Sequence, residues 1–274
     1  MPQSNSASTW QRLGASIFLS TASAVGFVSA NAAERELYSY EVPVVFKGAQ
    51  LPRQSDVLQM RIKSANAATL AENLKHSTVV IDKIKRRFLT VTLEGADTLS
   101  GEPEAAHRSA SYLVDYREPA MEAFSGKFAA TQSGDVSISA MTEFVHGSMG
   151  PSPYMRSFDI ASVVAASGTG DCTEHALLLT GLARAQGFAA RVVLGSVVVS
   201  STDRARAYGH AWSEIWHDGA WHIADATVAA DGSDFAMHYL PVGEVRNEGL
   251  GFVLGLVGIT QLMPEALERV RIVN

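Results

Sequence analysis

The stretch Gly168-Thr-Gly-Asp-Cys172-Thr-Glu-His-Ala-Leu-Leu-Leu-Thr-Gly-Leu-Ala-Arg-Ala-Gln-Gly187 is a glycine-punctuated loop that runs into an apolar helix. The Asp171 side chain can accept an N–H of the coming first turn. Glu174, three positions on, can reach back to the Asp171 N–H, which completes the reciprocal pattern of a capping box. The helix is therefore predicted to begin at Cys172. Ala176, Leu177, Leu179, Leu182 and Ala183 recur at three- and four-residue spacings, and Gly187 stands where a left-handed C-terminal cap is expected. Cys172 is the only cysteine in 274 residues. At a helix start it faces unsatisfied backbone N–H groups and the positive end of the helix dipole, and both favour a thiolate. The competing reading is a small buried hydrophobe, the ordinary fate of a lone cysteine.

The beginning of the chain bears on that choice. Arg12 precedes a mostly apolar run from Leu13 to Val28, followed by Ala30-Asn31-Ala32. These are the three parts of a secretory signal peptide over residues 1–32, with a cut before Ala33. The run is shorter than the roughly 20 apolar residues of a spanning helix, so no stable membrane span is expected after cleavage and the protein is expected in the periplasm or outside the cell. Arg12 is the only charged residue of that segment, so its removal takes the formal net charge from −6 to −7. An acidic chain without a basic block disfavours nucleic acid as a partner. In an oxidising compartment a single cysteine has no partner in its own chain, and an idle free thiol is exposed to oxidation. A chemical role for Cys172 gains weight accordingly.

Between the signal and the cysteine, Leu37–Phe46 (broken by Pro43), Val57–Lys63, Thr78–Ile81 and Arg87–Leu93 read as strands, with polar material between them. They define a β-rich module over 34–96, followed by a Gly, Asp, Ser and Pro-containing linker from Gly95 to Pro103. From Pro119 the period becomes helical: Met121, Phe124 and Phe128 line one helix, and Asp135 can cap a second with Ile138, Met141, Phe144 and Val145 on one side. A helical turn over Ile160–Ala166 leads into the glycine loop. Beyond the helix, Arg191–Val199 reads as a buried strand. The tail carries an apolar run, Gly249–Met263, ended by Pro264 and taken as packed on the core; Glu265–Val273 offers a helical turn or a strand. The expected division is 104–245 for the main domain and 246–274 for the tail.

Tyr208–His217 and Ala220–Thr227 flank Asp218-Gly219, a strong two-residue hairpin signal. With those two residues as the loop, His217 faces Ala220, Trp212 faces Asp225 and His210 faces Thr227. His210 and Asp225 become diagonal neighbours on one face, roughly 7 to 8 Å apart at the backbone and within reach of a side-chain hydrogen bond. A one-residue slip would put them on opposite faces.

These parts fit acyl transfer through a thioester. A cysteine nucleophile needs a lowered pKa or an adjacent base, and a histidine base needs its ring held by a carboxylate on the other nitrogen. Cys172 is the expected nucleophile, His210 the base, Asp225 the orienting acid, and the Cys172 backbone N–H an oxyanion donor. The plainer alternatives are a satisfied core histidine and a turn-forming aspartate at a strand end. No metal and no cofactor is expected: His175, one turn from Cys172, lacks two further spaced ligands, and His217 and His222 read as surface residues near the turn. Trp212, Trp216 and Trp221 share the face of His210, where Trp212 is placed to shield the pair from water.

Four blocks, Gly170-Asp-Cys-Thr-Glu-His-Ala176, Gly187-Phe-Ala-Ala-Arg191, Gly209-His-Ala-Trp-Ser-Glu214 and Trp221-His-Ile-Ala-Asp-Ala-Thr227, resemble in order those of the bacterial transglutaminase-like superfamily. The resemblance implies an α+β, papain-like core in which a helix bearing the cysteine packs on an antiparallel sheet bearing the histidine and aspartate. It maps nucleophile, base and orienting acid onto Cys172, His210 and Asp225. Members include crosslinking transglutaminases, peptidases and amidases, so the implied substrate is a protein or peptide. Animal crosslinking enzymes use an indole upstream of the cysteine as a second oxyanion donor. Here the tryptophans are Trp10, Trp212, Trp216 and Trp221, and none lies between the signal segment and Cys172. Hydrolysis by water and transfer to an amine both remain open, as does the competing class of a non-catalytic peptide- or envelope-binding module on the same fold.

Overall fold

The computed structural model describes residues 40–151, 159–201, 203–228, 235–246, 248–249 and 251–273. The signal segment expected over 1–32 lies outside the described residues. The architecture is α+β, with two antiparallel-dominated sheets and helices packed against both.

The first sheet runs β1 (Tyr40–Val42), β9 (Ala205–His217), β8 (Ala189–Ser200), β11 (Ala236–Glu244), with β10 (Ala220–Ala224) also pairing β9. All twelve residues of β8 are buried, as its near-continuous run of Val, Ala and Leu requires of a strand covered on both faces. The β9–β10 hairpin has the predicted register, from Ala220 opposite His217 to Ala224 opposite Ser213. Asp218 and Gly219 both adopt positive φ, 49° and 78°, the conformation that matches the turn to the twist of its strands. Asp225 follows directly after the last paired residue of β10.

Gly195 sits at the centre of this sheet, opposite His210. A Cβ there would come within 2.1 Å of the Leu240 carbonyl oxygen and 2.7 Å of the Trp212 ring. Gly195→Ala is therefore expected to destabilise the protein by about 3 kcal/mol, read as a lower urea midpoint, because the closer of the two obstacles is backbone. An unchanged midpoint would mean that the two strands separate at no cost.

The second sheet has the order β2 (Val44–Phe46), β12 (Ala266–Val273), β3 (Val57–Lys63), β5 (Phe88–Leu93), β4 (Val80–Lys85). β12 pairs parallel to β2 and antiparallel to β3, so the last strand of the chain completes the sheet begun by its N-terminal strands. Pro43 divides the first predicted strand: β1 joins the first sheet, β2 the second. Helix α1 (Ala67–Leu74) lies in a stretch read from sequence as polar connecting material. It buries Ala67, Leu70, Ala71 and Leu74, at the i, i+3, i+4, i+7 spacing of one helix face, a period that the reading as polar connecting material passed over. The strand expected over Thr78–Ile81 begins two residues later and runs to Lys85.

Helices α2 (Pro119–Thr131), α3 (Ile138–Ser148) and α4 (Ala161–Ser167) surround α5 (Cys172–Ala185). The cap of α3 is Ser137, whose hydroxyl accepts the Ala140 N–H, and not Asp135 as expected: the serine sits directly before the first helical residue. A short pair of parallel strands, β6 (Gly150–Pro151) and β7 (Thr169–Gly170), fastens the glycine loop ahead of α5. One continuous core joins the second sheet (Leu58, Met60, Leu89, Val91) to α5 (Cys172, Ala176, Leu177) and the first sheet (Val192, Ala211). The apolar tail forms α6 (Phe252–Thr260), with Ile259 buried and Leu254 80% exposed. No helix among the described residues is long and apolar enough to cross a membrane.

Candidate active site

Cys172 is the first residue of α5 and fully buried. The capping box closes as expected: Asp171 Oδ1 accepts the Thr173 N–H at 2.8 Å, and Glu174 Oε2 accepts the Asp171 N–H at 3.0 Å. Glu174 does more than cap, because Oε1 also accepts the Asp159 N–H at 3.2 Å and ties the approach to α4 to the cysteine loop. Burial, followed by the neighbouring Asp171 charge, pushes the Glu174 carboxyl up to about 7. Gly170 is obligatory here, since a Cβ would lie 2.2 Å from that of Glu174. His175 turns back on the same loop, with Nδ1 2.7 Å from the Asp171 carbonyl oxygen, and burial lowers its pKa. No group of three or more His, Cys, Asp or Glu placed to hold a metal occurs among the described residues.

His210 and Asp225 meet as the hairpin register predicted, with Nε2 and Oδ2 2.7 Å apart and both side chains almost wholly buried. Burial opposes a charge on the ring, but the Asp225 charge and hydrogen bond outweigh it. The Cys172 side chain is near enough to add to the effect, and His210 is pushed up to about 10. Asp225 is penalised by burial in the same way, yet His210 and Thr227 bring it down to about 2. The pair is thus held as imidazolium and carboxylate. Cys172, His210 and Asp225 are gathered at one place by a helix start, the central strand β9 of the first sheet and the residue just beyond its hairpin partner β10.

Two further groups hold Asp225. Thr227 gives its backbone N–H and its hydroxyl to Oδ1, at 3.0 and 2.5 Å, and the Tyr239 hydroxyl donates to Oδ2 at 2.9 Å. The Thr227 contact was readable in principle from Asp225-Ala-Thr227, an aspartate that bonds its own backbone two residues on. Tyr239 was not: it lies on β11, which reaches this site only through its pairing with β8. Trp212 lies beside the His210 ring, with centroids 6.1 Å apart and planes 27° from parallel, and meets Tyr239 edge-on at 5.0 Å. The indole, 1% exposed, is thus packed against the histidine. Next to His210 on β9, Gly209 lets the Tyr40 ring lie in the space that a side chain would fill. Tyr208 is buried, and Tyr154, also considered for the cleft, lies outside the described residues.

Trp216 and Trp221 serve a different purpose from Trp212. They meet edge-on at 5.4 Å, and the Arg191 guanidinium lies 3.8 Å above the Trp221 ring. Arg191 donates to Glu214 Oε2 at 2.9 and 2.6 Å and to the Leu99 carbonyl at 2.5 Å, while Glu214 Oε1 accepts the Leu99 N–H. The arginine and glutamate of the second and third sequence blocks thereby clamp the segment at Leu99 against the sheet. His217 and His222 lie near the turn, with His222 Nε2 3.1 Å from the His217 carbonyl. A cavity of about 480 Å³ lined by residues 49–54, Ser200, Ser201, Phe235 and Ala236 includes none of Cys172, His210 and Asp225.

Residues 122–226, a span that contains Cys172, His210 and Asp225, match the family model of the transglutaminase-like superfamily. Comparison with curated proteins gives no match. Among solved structures the chain is similar to a candidate cysteine protease from Cytophaga hutchinsonii, with 11% identity over 75% of this chain and 78% of that one and a TM-score of 0.39. It is also similar to the periplasmic domain of TgpA from Pseudomonas aeruginosa, with 13% identity over 70% and 83% of the two chains and a TM-score of 0.38.

Proposed function

We propose that the protein is an exported thiol enzyme that forms an acyl-enzyme on Cys172 from an amide or peptide carbonyl, a reading that the match of residues 122–226 to the transglutaminase-like family model supports. The observation that carries this reading is the buried His210–Asp225 pair, 2.7 Å apart, set against the cysteine at the start of α5. Export rests on the three-part signal read over residues 1–32.

In the acylation step the Cys172 sulfur adds to the substrate carbonyl carbon, and the electron pair of the C=O moves to oxygen. That oxyanion faces the N–H groups at the helix start, including that of Cys172 itself. His210, held protonated by Asp225, gives its proton to the leaving nitrogen as the C–N bond breaks, leaving a thioester and a neutral imidazole. In the second step the imidazole takes a proton from water or from an amine as it attacks the thioester. The sulfur leaves and His210 is an imidazolium again. Water yields a peptidase or amidase, an amine a transamidase.

Incubating the full-length, processed protein with a glutamine-containing protein and a labelled primary amine separates these outcomes. Incorporation that depends on Cys172 marks a transamidase; cleavage or deamidation without incorporation marks a hydrolase. If neither occurs, and iodoacetamide labels Cys172 no faster than a model thiol, the protein is a binding module on this fold.

A further inference from the structure

Asp225 stands one residue beyond the last paired position of β10, so the ladder alone does not orient its carboxylate. Oδ1 is held by Thr227 within the same turn, and Oδ2 accepts from two groups that come from different strands, His210 on β9 and Tyr239 on β11. Tyr239 reaches it from two strands away: it pairs with Val197 on β8, and Val197 pairs with Tyr208 on β9. The tyrosine ring is itself fixed, 7% exposed, edge-on to Trp212 and 6.4 Å from the His210 ring. From this geometry we infer that Tyr239 is a positioning residue that acts through Asp225: its hydroxyl pins Oδ2 in line with His210 Nε2 and ties the end of the hairpin across the sheet to β11.

The inference rests on the acyl-enzyme reading above for its kinetic consequence, but not for its structural one. A hydroxyl shared with Oδ2 draws off part of the carboxylate charge that His210 would otherwise receive alone. Without it the carboxylate gains a degree of freedom, and more of its charge falls on the imidazolium. The ring packing of the tyrosine, by contrast, needs no hydroxyl.

Tyr239→Phe keeps the ring and removes the oxygen. In the peptide or amine-transfer assay, kcat should fall about tenfold, the scale of a lost hydrogen bond to a charged group, with KM unchanged. The alkaline limb of the kcat/KM profile should move to higher pH, because His210 then holds its proton longer. The downfield proton resonance of the His210 ring should shift in the NMR spectrum, while the melting temperature falls by only a few degrees. A variant with wild-type kcat, alkaline limb and His210 resonance overturns the inference. So does a loss of kcat with an unmoved limb and resonance, which would make Tyr239 a packing residue only. Cys172→Ala in the same assay keeps the two readings apart: if it retains activity the acyl-enzyme proposal fails, and the His210 resonance still decides the role of Tyr239.

Discussion

Cys172→Ala should lower turnover by about 10⁶-fold in whichever assay detects activity, because the step it removes is formation of the covalent intermediate and nothing nearby replaces the sulfur. Cys172 is the only cysteine of the chain, and it is buried in the same core as Ala176, Leu177 and Ala211. Loss of one sulfur atom from that core leaves a small cavity, so the circular dichroism spectrum should be unchanged and the loss of stability modest. Mass spectrometry of the intact protein with a slow substrate provides the direct measurement: an acyl adduct on the wild type and none on the variant. Turnover within tenfold of the wild type would move the nucleophile elsewhere.

Asp225→Asn should reduce kcat by roughly 10⁴-fold while leaving the backbone geometry in place, because an amide no longer dictates the His210 tautomer or balances its charge. It should also change how stability depends on pH. His210 is raised to about 10, so its stabilising contribution is complete below its ordinary value near 6.5 and fades as pH rises toward 10. Asp225 is lowered to about 2, so its contribution is complete above its ordinary value near 3.9 and fades as pH falls toward 2. The difference in melting temperature between wild type and Asp225→Asn should therefore be greatest between about pH 4 and 6.5 and shrink on either side. A difference that stays constant from pH 5 to pH 9.5 would show that the pair is not ionised in the folded protein.

Both variants act on residues that local sequence chemistry could reach. A capping box closes over the four residues from Asp171 to Glu174, and its side-chain acceptors are the carboxylates written at those two positions. A two-residue turn with positive φ at Asp218 and Gly219 sets the pairing of every residue along the two strands. From these, the start of α5 and the alignment of His210 with Asp225 follow within a span of a few residues each, and no knowledge of the rest of the chain is needed. Strands and helices were legible for the same reason, from stretches whose period changes from two to 3.6, while the α+β class itself came with the resemblance carried by the four sequence blocks.

Contacts made at a distance were not legible. Tyr239 meets Asp225 only because β8 lies between β9 and β11, an order that no local sequence signal prescribes. Arg191, Glu214 and Leu99 were all in view as letters, but their clamp depends on the sheet face to which the Leu99 segment returns. β12 read equally well as a turn of helix or a strand, and became a strand because β2 and β3 present unpaired backbone groups on either side of it. The start of α5 at Cys172 and the alignment of His210 with Asp225 were thus written in short-range hydrogen bonding and register, whereas the packing of α5 on β9 brings the cysteine to that pair. The Tyr239 hydroxyl on Asp225 Oδ2, and what closes the second sheet, came only with the packing of distant strands, whose partners are chosen by buried area and backbone satisfaction across the whole fold.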